Sequence, residues 1–175
     1  MELRTITTED LPLWETMQCD PIMMAELGGP HPKEKIPQIF HNTMEYVNTG
    51  RGWVFKIMPD EDPERAAGSV CIWEHSWQGE PINEMGWMIL PGFQGRGLAS
   101  KAVRATLDKA RAEGRWDVVH AFPGVTNAAS NAICRKAGFS LLDECELDYA
   151  GRLLRCNHWR IDLRSDPPDS AGEGT

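Results

Sequence analysis

Apolar residues recur along this chain at two periods, and the changes between them mark out its elements. Residues 2–7 alternate weakly through Leu3 and Ile6 and read as a first strand. Thr7 or Thr8 then offers a helix N-cap. Glu9 and Asp10 suit a first turn and Pro12 is tolerated there, so a helix is expected to about Gln18. Gly28-Gly29-Pro30-His31-Pro32 reads as a loop. Ile36, Ile39, Phe40, Met44 and Val47 return at helical spacing up to a stop at Gly50.

The period then shortens to two. Residues 52–58, 67–73 and 83–90 read as strands, separated by an acidic turn at 59–64 and a second turn at 78–81, which makes an antiparallel meander. Pro91-Gly92 closes the third strand. Residues 98–113 follow as a helix whose Ala99, Ala102, Val103, Thr106, Leu107 and Ala110 form a stripe of small residues. A short strand at 117–122, a helix at about 128–137 and closing strands at 139–147 and 153–163 complete the pattern. The order β, α, α, β, β, β, α, β, α, β, β predicts an α+β fold, and the helix from Leu98 joins two strands expected to be parallel neighbours. Residues 1–164 read as one domain, and 165–175, without apolar residues, as a disordered tail.

Composition narrows the function. The 175 residues carry a net charge of -8, which argues against nonspecific grip on nucleic acid or an anionic membrane. That excess suits a cationic substrate or simply a soluble surface. Within 94–115 the sign reverses: Arg96, Lys101, Arg104, Lys109, Arg111 and Arg115 stand against Asp108 and Glu113. A local anionic ligand and a solvated helix face both fit that island. The five cysteines (Cys19, Cys71, Cys134, Cys145, Cys156) have neither metal-ligand nor disulfide spacing, and no metal is expected. With no signal-like opening and no apolar run of membrane-spanning length, a cytoplasmic location is expected.

A strand, a glycine turn and a helix start meet at Gln94-Gly95-Arg96-Gly97-Leu98-Ala99-Ser100, an arrangement that holds phosphate. Gly92 and Gly97 have P-loop spacing, but Leu98-Ala99 replaces the required Lys-Ser/Thr. Gly95-x-Gly97-x-x-Ser100 lacks the third glycine of the dinucleotide fingerprint and follows a meander. What remains is Gln94-x-x-Gly97-x-Ala99.

With that turn, the tract Glu84-Met85-Gly86-Trp87-Met88-Ile89-Leu90 and the later tract Asn127-Ala128-Ala129-Ser130-Asn131-Ala132-Ile133-Cys134-Arg135-Lys136-Ala137-Gly138-Phe139, the chain resembles the GNAT superfamily of acyl-CoA-dependent N-acetyltransferases. The second tract looks closer to the ribosomal-protein-type branch. The resemblance implies a mixed sheet of about seven strands with about four helices. It implies acetyl transfer from acetyl-CoA to a primary amine, directly within a ternary complex. The amine, whether on a small molecule or a peptide, stays unidentified, and a homodimer stays open. A silent acyl-CoA-binding module is the alternative.

By the same resemblance, Trp87, Met88 and Ile89 would present backbone to the acyl and pantetheine part. Gln94, Gly95, Arg96, Gly97, Leu98, Ala99 and Ser100 would bind pyrophosphate, and Asn127 would bond the pantetheine arm or cap its helix. Arg96, Lys101 and Arg104 are candidate phosphate partners. Glu84 is the candidate base. Cys134, where many relatives place Tyr, is the candidate acid, since a thiol titrates near about 8.5. The alternative for Cys134 is a small buried hydrophobe. His120 sits on a strand expected to end near the acyl site. The stretch from Cys19 to Tyr46, with Trp73, Glu74, His75 and Trp77, would line the acceptor side. Most of the seven tryptophans are expected in the core.

Overall fold

The chain folds as the alternation of periods requires. The computed structural model describes residues 1–149 and 151–165, so the expected tail, Ser165 apart, lies outside the described residues. The strands are β1 (Glu2–Thr5), β2 (Gly52–Met58), β3 (Gly68–Trp77), β4 (Glu80–Ile89), β5 (Val118–Ala121), β6 (Ser140–Tyr149) and β7 (Arg152–Asp162). The helices are α1 (Leu11–Gln18), α2 (Ile36–Asn48), α3 (Leu98–Glu113) and α4 (Ala128–Lys136).

One seven-stranded sheet runs in the order β1-β2-β3-β4-β5-β7-β6. Every neighbouring pair is antiparallel except β4 and β5, which are parallel and joined through α3. Strand alternation divides the core into two layers. Ser69 on β3 lies beneath α1, its hydroxyl on the Met17 thioether, so Cys71, Trp73 and His75 share that face. Trp159 on β7 donates its indole N–H to Asn131 of α4, which puts α4, with α3 packed beside it, on the other face.

Local chemistry accounts for most boundaries. Thr7 and Asp10 exchange hydrogen bonds as a capping box ahead of α1. One boundary corrects the sequence reading: the β3–β4 turn is not 78–81 but the pair Gln78-Gly79. Both have positive φ, 52° and 83°, which is the two-residue hairpin geometry that follows strand twist. The strands therefore reach four and three residues further toward the turn than expected, and Pro81 sits inside β4. It is tolerated because β4 pairs with β5 only at Glu84, leaving the other edge of Pro81 without a ladder to break.

The tryptophans also depart from expectation. Only Trp14 and Trp159 are buried; Trp53, Trp73, Trp77, Trp87 and Trp116 are partly exposed. A ring this large covers core on one side and meets polar groups on the other. Trp53 and Trp116 accordingly carry the Arg115 guanidinium over their faces.

Candidate active site

The sheet opens where β4 and β5 part. Their parallel register consists of one pair, Glu84 with His120, and β5 diverges beyond it. From Met85 to Ile89, β4 stays paired to β3 but has no neighbour on its other edge. A cavity of about 930 Å³ fills this opening. It reaches from the α1–α2 connection past β4 to the start of α3 and along α4.

At one end of the cavity is the start of α3. Gly95 and Gly97 have φ of 74° and 72°, and a Cβ at either would meet nothing within 4 Å, so glycine is required here by conformation rather than space. The first backbone bond of the helix runs from the Lys101 N–H to the Gly97 carbonyl. Among the described residues, no backbone N–H from Gly95 to Ser100 has a protein acceptor. Five of these six residues, all but Arg96, line the cavity at the positive end of a 16-residue helix, an arrangement that fits a pyrophosphate. Gln94 holds the turn in place, its amide donating to the Ile89 carbonyl at 2.9 Å.

The basic side chains do not join these donors. Arg96 is drawn back onto the Gly92 carbonyl at 2.7 Å, toward Glu61 and over the Phe93 ring. Arg104 reaches the Lys136 carbonyl, and Lys109 and Arg111 pair with Glu113 and Asp108 along the helix surface. The island at 94–115 is thus mostly a solvated helix face, because α3 buries its small-residue stripe and must turn its charges outward. Among the described residues the one lysine on the cavity wall is Lys136, at the end of α4.

Glu84 enters the cavity from β4 with its side chain only 13% exposed, and its Oε2 lies 3.6 Å from His75 Nε2. Burial pushes the carboxyl up to about 8 and lowers the His75 imidazole, so near neutrality the pair is a carboxylic acid facing a neutral ring. Trp73 lies across β4 at Gly86, where a Cβ would come within 3.1 Å of its ring, and it walls the cavity beside Glu84. Ile22, Met23, Glu26, Leu27, Thr43 and Tyr46 close the cavity from the α1–α2 side. Glu74 and Trp77 do not line it; Trp77 packs instead on Phe122 and His158.

Cys134 is the main correction. It is 0% exposed, belongs to the core and is missing from the cavity wall, and burial pushes its thiol up to about 12. Helical phase is the reason. Ser130 and Ile133 face the cavity, while Asn131 and Cys134, one residue further on, face the sheet. Asn127 does line the cavity and also caps α4, accepting the Ser130 N–H at 3.0 Å.

Three residues stand out that the sequence patterns did not single out. Tyr149, at the end of β6, lines the cavity with its phenol pushed up by burial. Gln18 is buried at the end of α1 and lines the cavity. Its amide N touches only the Met88 sulfur at 3.7 Å, and its Oε1 has no partner. A polar residue four positions after Trp14, on the buried stripe of α1, was the available signal. Asn131 bonds the Gly124 and Asn127 carbonyls and accepts from Asn157 and Trp159, which ties the cavity's α4 wall to β7.

With this geometry established, known proteins can be compared. A family model described as an acetyltransferase (GNAT) domain matches residues 1–140. The fold is similar to that of spermidine N-acetyltransferase from Vibrio cholerae, solved with CoA and spermine, at a TM-score of 0.74 and 15% identity over 93% of this chain and 95% of that one. It is equally similar to RimL, a ribosomal L7/L12 alpha-N-protein acetyltransferase solved with coenzyme A, at a TM-score of 0.74 and 17% identity over 94% of both chains. An acetyltransferase from Agrobacterium tumefaciens follows at a TM-score of 0.73 and 20% identity, over 91% of this chain and 88% of that one. Among curated proteins none matches.

Proposed function

The chain belongs to the GNAT acetyltransferase family, and from that membership we propose that it transfers an acetyl group from acetyl-CoA to the primary amine of a cationic acceptor, directly within a ternary complex. One observation carries the reading: a single cavity is lined by unpartnered backbone N–H groups at Gly95, Gly97, Leu98, Ala99 and Ser100 and also holds the buried Glu84 carboxyl. The first suits the pyrophosphate, and the second suits proton removal from an ammonium.

Acetyl-CoA supplies an activated thioester. The chain's own groups do the rest. The backbone N–H groups of residues 95–100 hold the pyrophosphate, and the unpaired edge of β4 at Trp87, Met88 and Ile89 pairs with the peptide-like arm. Glu84, its carboxyl raised to about 8, takes in its ionised form the proton that keeps the amine from attacking, so turnover should rise with pH toward that value. Tyr149 keeps its phenolic proton at neutral pH and donates it to the departing thiolate, and the second proton that the nitrogen sheds as the amide forms restores the phenol. Direct transfer is supported by the two cysteines on the cavity wall. Burial holds Cys71 up to about 12 and Cys156 up to about 11, the reverse of an activated thiol nucleophile. A cationic acceptor is supported by the carboxylates of Glu26 and Asp148 on the same wall. The spermidine and L7/L12 enzymes of like fold act on amines of different size, so size is the open dimension.

The test is release of CoA thiol with a polyamine, an aminoglycoside, an amino acid and a Ser-initiated peptide. Glu84→Gln should lower kcat about a hundredfold or more with acetyl-CoA affinity unchanged. Tyr149→Phe should lower it by a smaller factor, and Cys134→Ala should leave it near wild type. Acetyl-CoA binding without thiol release from any amine would favour a silent binding module; absence of acetyl-CoA binding would sink the reading.

A further inference from the structure

Three side chains from β5, β6 and β7 form a hydrogen-bonded chain that the reaction above leaves unused. Asp143 Oδ1 is 3.2 Å from His158 Nδ1, and His158 Nε2 is 2.8 Å from His120 Nδ1. The chain starts in water and ends inside, since the Asp143 side chain is 62% exposed and that of His158 only 6%. An aromatic sleeve surrounds it. The two imidazoles stack at 5.1 Å, Phe122 stacks on His158 at 4.8 Å, and Trp77 meets His158 edge-on at 4.5 Å.

Asp143 sets the tautomers. An ionised carboxylate only accepts, so His158 carries its proton on Nδ1 and offers the Nε2 lone pair. His120 must then donate from Nδ1, which leaves its own Nε2 as a free base. His120 and Glu84 are register partners on the parallel strands, which sets their Cα atoms side by side. Their side chains share a face, because Ile82, two before Glu84, and Phe122, two after His120, pack in one cluster.

We propose that His120, His158 and Asp143 form a proton exit from Glu84 to the protein surface, built on the juxtaposition of Glu84 and His120 across the β4–β5 pair. It rests on the reading of Glu84 as the base. Amide formation from an ammonium and a thioester releases one net proton per turnover, and a carboxyl that has taken that proton must lose it before the next cycle. The proton passes from the Glu84 carboxyl to His120 Nε2. The His120 Nδ1 proton moves to His158 Nε2, and the His158 Nδ1 proton moves to Asp143, which gives it to water. The starting tautomers return once the cavity has emptied: His120 gives its Nε2 proton to water, the His158 Nε2 proton moves back to His120 Nδ1, and Asp143 returns a proton from water to His158 Nδ1. Burial and the nearby His158 and Arg160 hold the His120 imidazole down to about 4, so it passes the proton and does not store it. The groups facing Glu84 are His75 and Cys71 from β3, Tyr149 from β6, Cys156 from β7 and His120; those facing His120 are Glu84, His158 and Arg160.

His120→Phe keeps the stack on Phe122 and removes both nitrogens. With saturating acetyl-CoA and the best amine of the panel, kcat should fall about tenfold or more, amine KM should hold within about twofold, and a solvent deuterium isotope effect should grow. Added imidazole should restore turnover in His120→Gly. A kcat near wild type in His120→Phe, or a loss that is neither isotope-sensitive nor rescued by imidazole, would overturn the proposal. Should His120 variants fail to fold, Asp143→Ala at the exposed end should give a smaller drop with the same isotope signature, and its absence overturns the proposal equally. Ring nitrogen NMR of the protein alone separates this inference from the acetyl-transfer reading. Both histidines should be protonated at Nδ1, with the preference lost in Asp143→Ala; an Nε2-protonated ring in the wild type contradicts the relay whatever the enzyme acetylates.

Discussion

Glu84 ionises only against the burial that surrounds it, so the property that fits it for proton transfer also weakens the fold. Its carboxyl rises from 4.5 to about 8, and between those values the unfolded chain is ionised while the folded one keeps its proton. Stability therefore falls as pH rises through that window and levels off above it. Glu84→Gln removes the penalty and should stabilise the protein by about 4 kcal/mol more at pH 9 than at pH 5, which calorimetric melting at the two pH values measures. An equal shift at both would mean that the carboxyl is not held protonated. Gln18 gives a second residue-scale expectation. Its unpartnered Oε1 faces the cavity, and a buried acceptor left empty costs about 1–3 kcal/mol until a bound group donates to it. Gln18→Leu should thus make the free protein no less stable while raising KM for acetyl-CoA or the amine about tenfold, read from melting curves and initial rates. Glu84 was legible because it begins the motif strand. Gln18 and Tyr149 were not, since nothing in a one-dimensional pattern says that an α1 residue and a β6 residue meet one cavity.

At the scale of elements, two backbone positions hold the site open. Gly68 begins β3 at φ 152°, and a Cβ there would lie 1.9 Å from the Met88 carbonyl oxygen. Gly68→Ala must push β3 away from the β4 segment expected to meet the acyl group. It should cost about 2 kcal/mol or more and weaken acetyl-CoA binding together, seen in denaturant midpoints and in binding titrations. Asn131 works through four hydrogen bonds, and Asn131→Leu leaves the Trp159 indole N–H buried without its acceptor and takes the acceptor from the Asn157 amide. A loss of about 2–4 kcal/mol should follow in equilibrium unfolding. The elements themselves were largely legible: period, caps and glycines located all eleven to within a few residues. The β3–β4 hairpin was misjudged because Gln78 at positive φ carries no glycine to announce it. Cys134 was misjudged because a tract motif does not specify which side of a nine-residue helix faces the ligand.

Across the whole molecule, the charge of -8 is not spread evenly around the site. Glu26 and Asp148 line the cavity with Glu84, and among the described residues Lys136 is its one lysine or arginine. Such a field draws in cations and is screened by salt. For a polyamine acceptor KM should rise about fivefold or more between 50 and 500 mM NaCl, with kcat nearly constant, whereas a monoamine should change less than about twofold. A salt-independent polyamine KM would remove these carboxylates from acceptor binding. Sequence alone determined the order of elements, the glycine turn with its donors and the family, because each depends on residues close together in the chain and on local backbone preference. The rest was decided only in three dimensions: the parting of β4 from β5, the burial that sets Glu84, the phase that turns Cys134 inward, and the meeting of His120 with Glu84, His158 and Asp143. These depend on which surfaces pack together, and packing joins residues that are far apart in sequence.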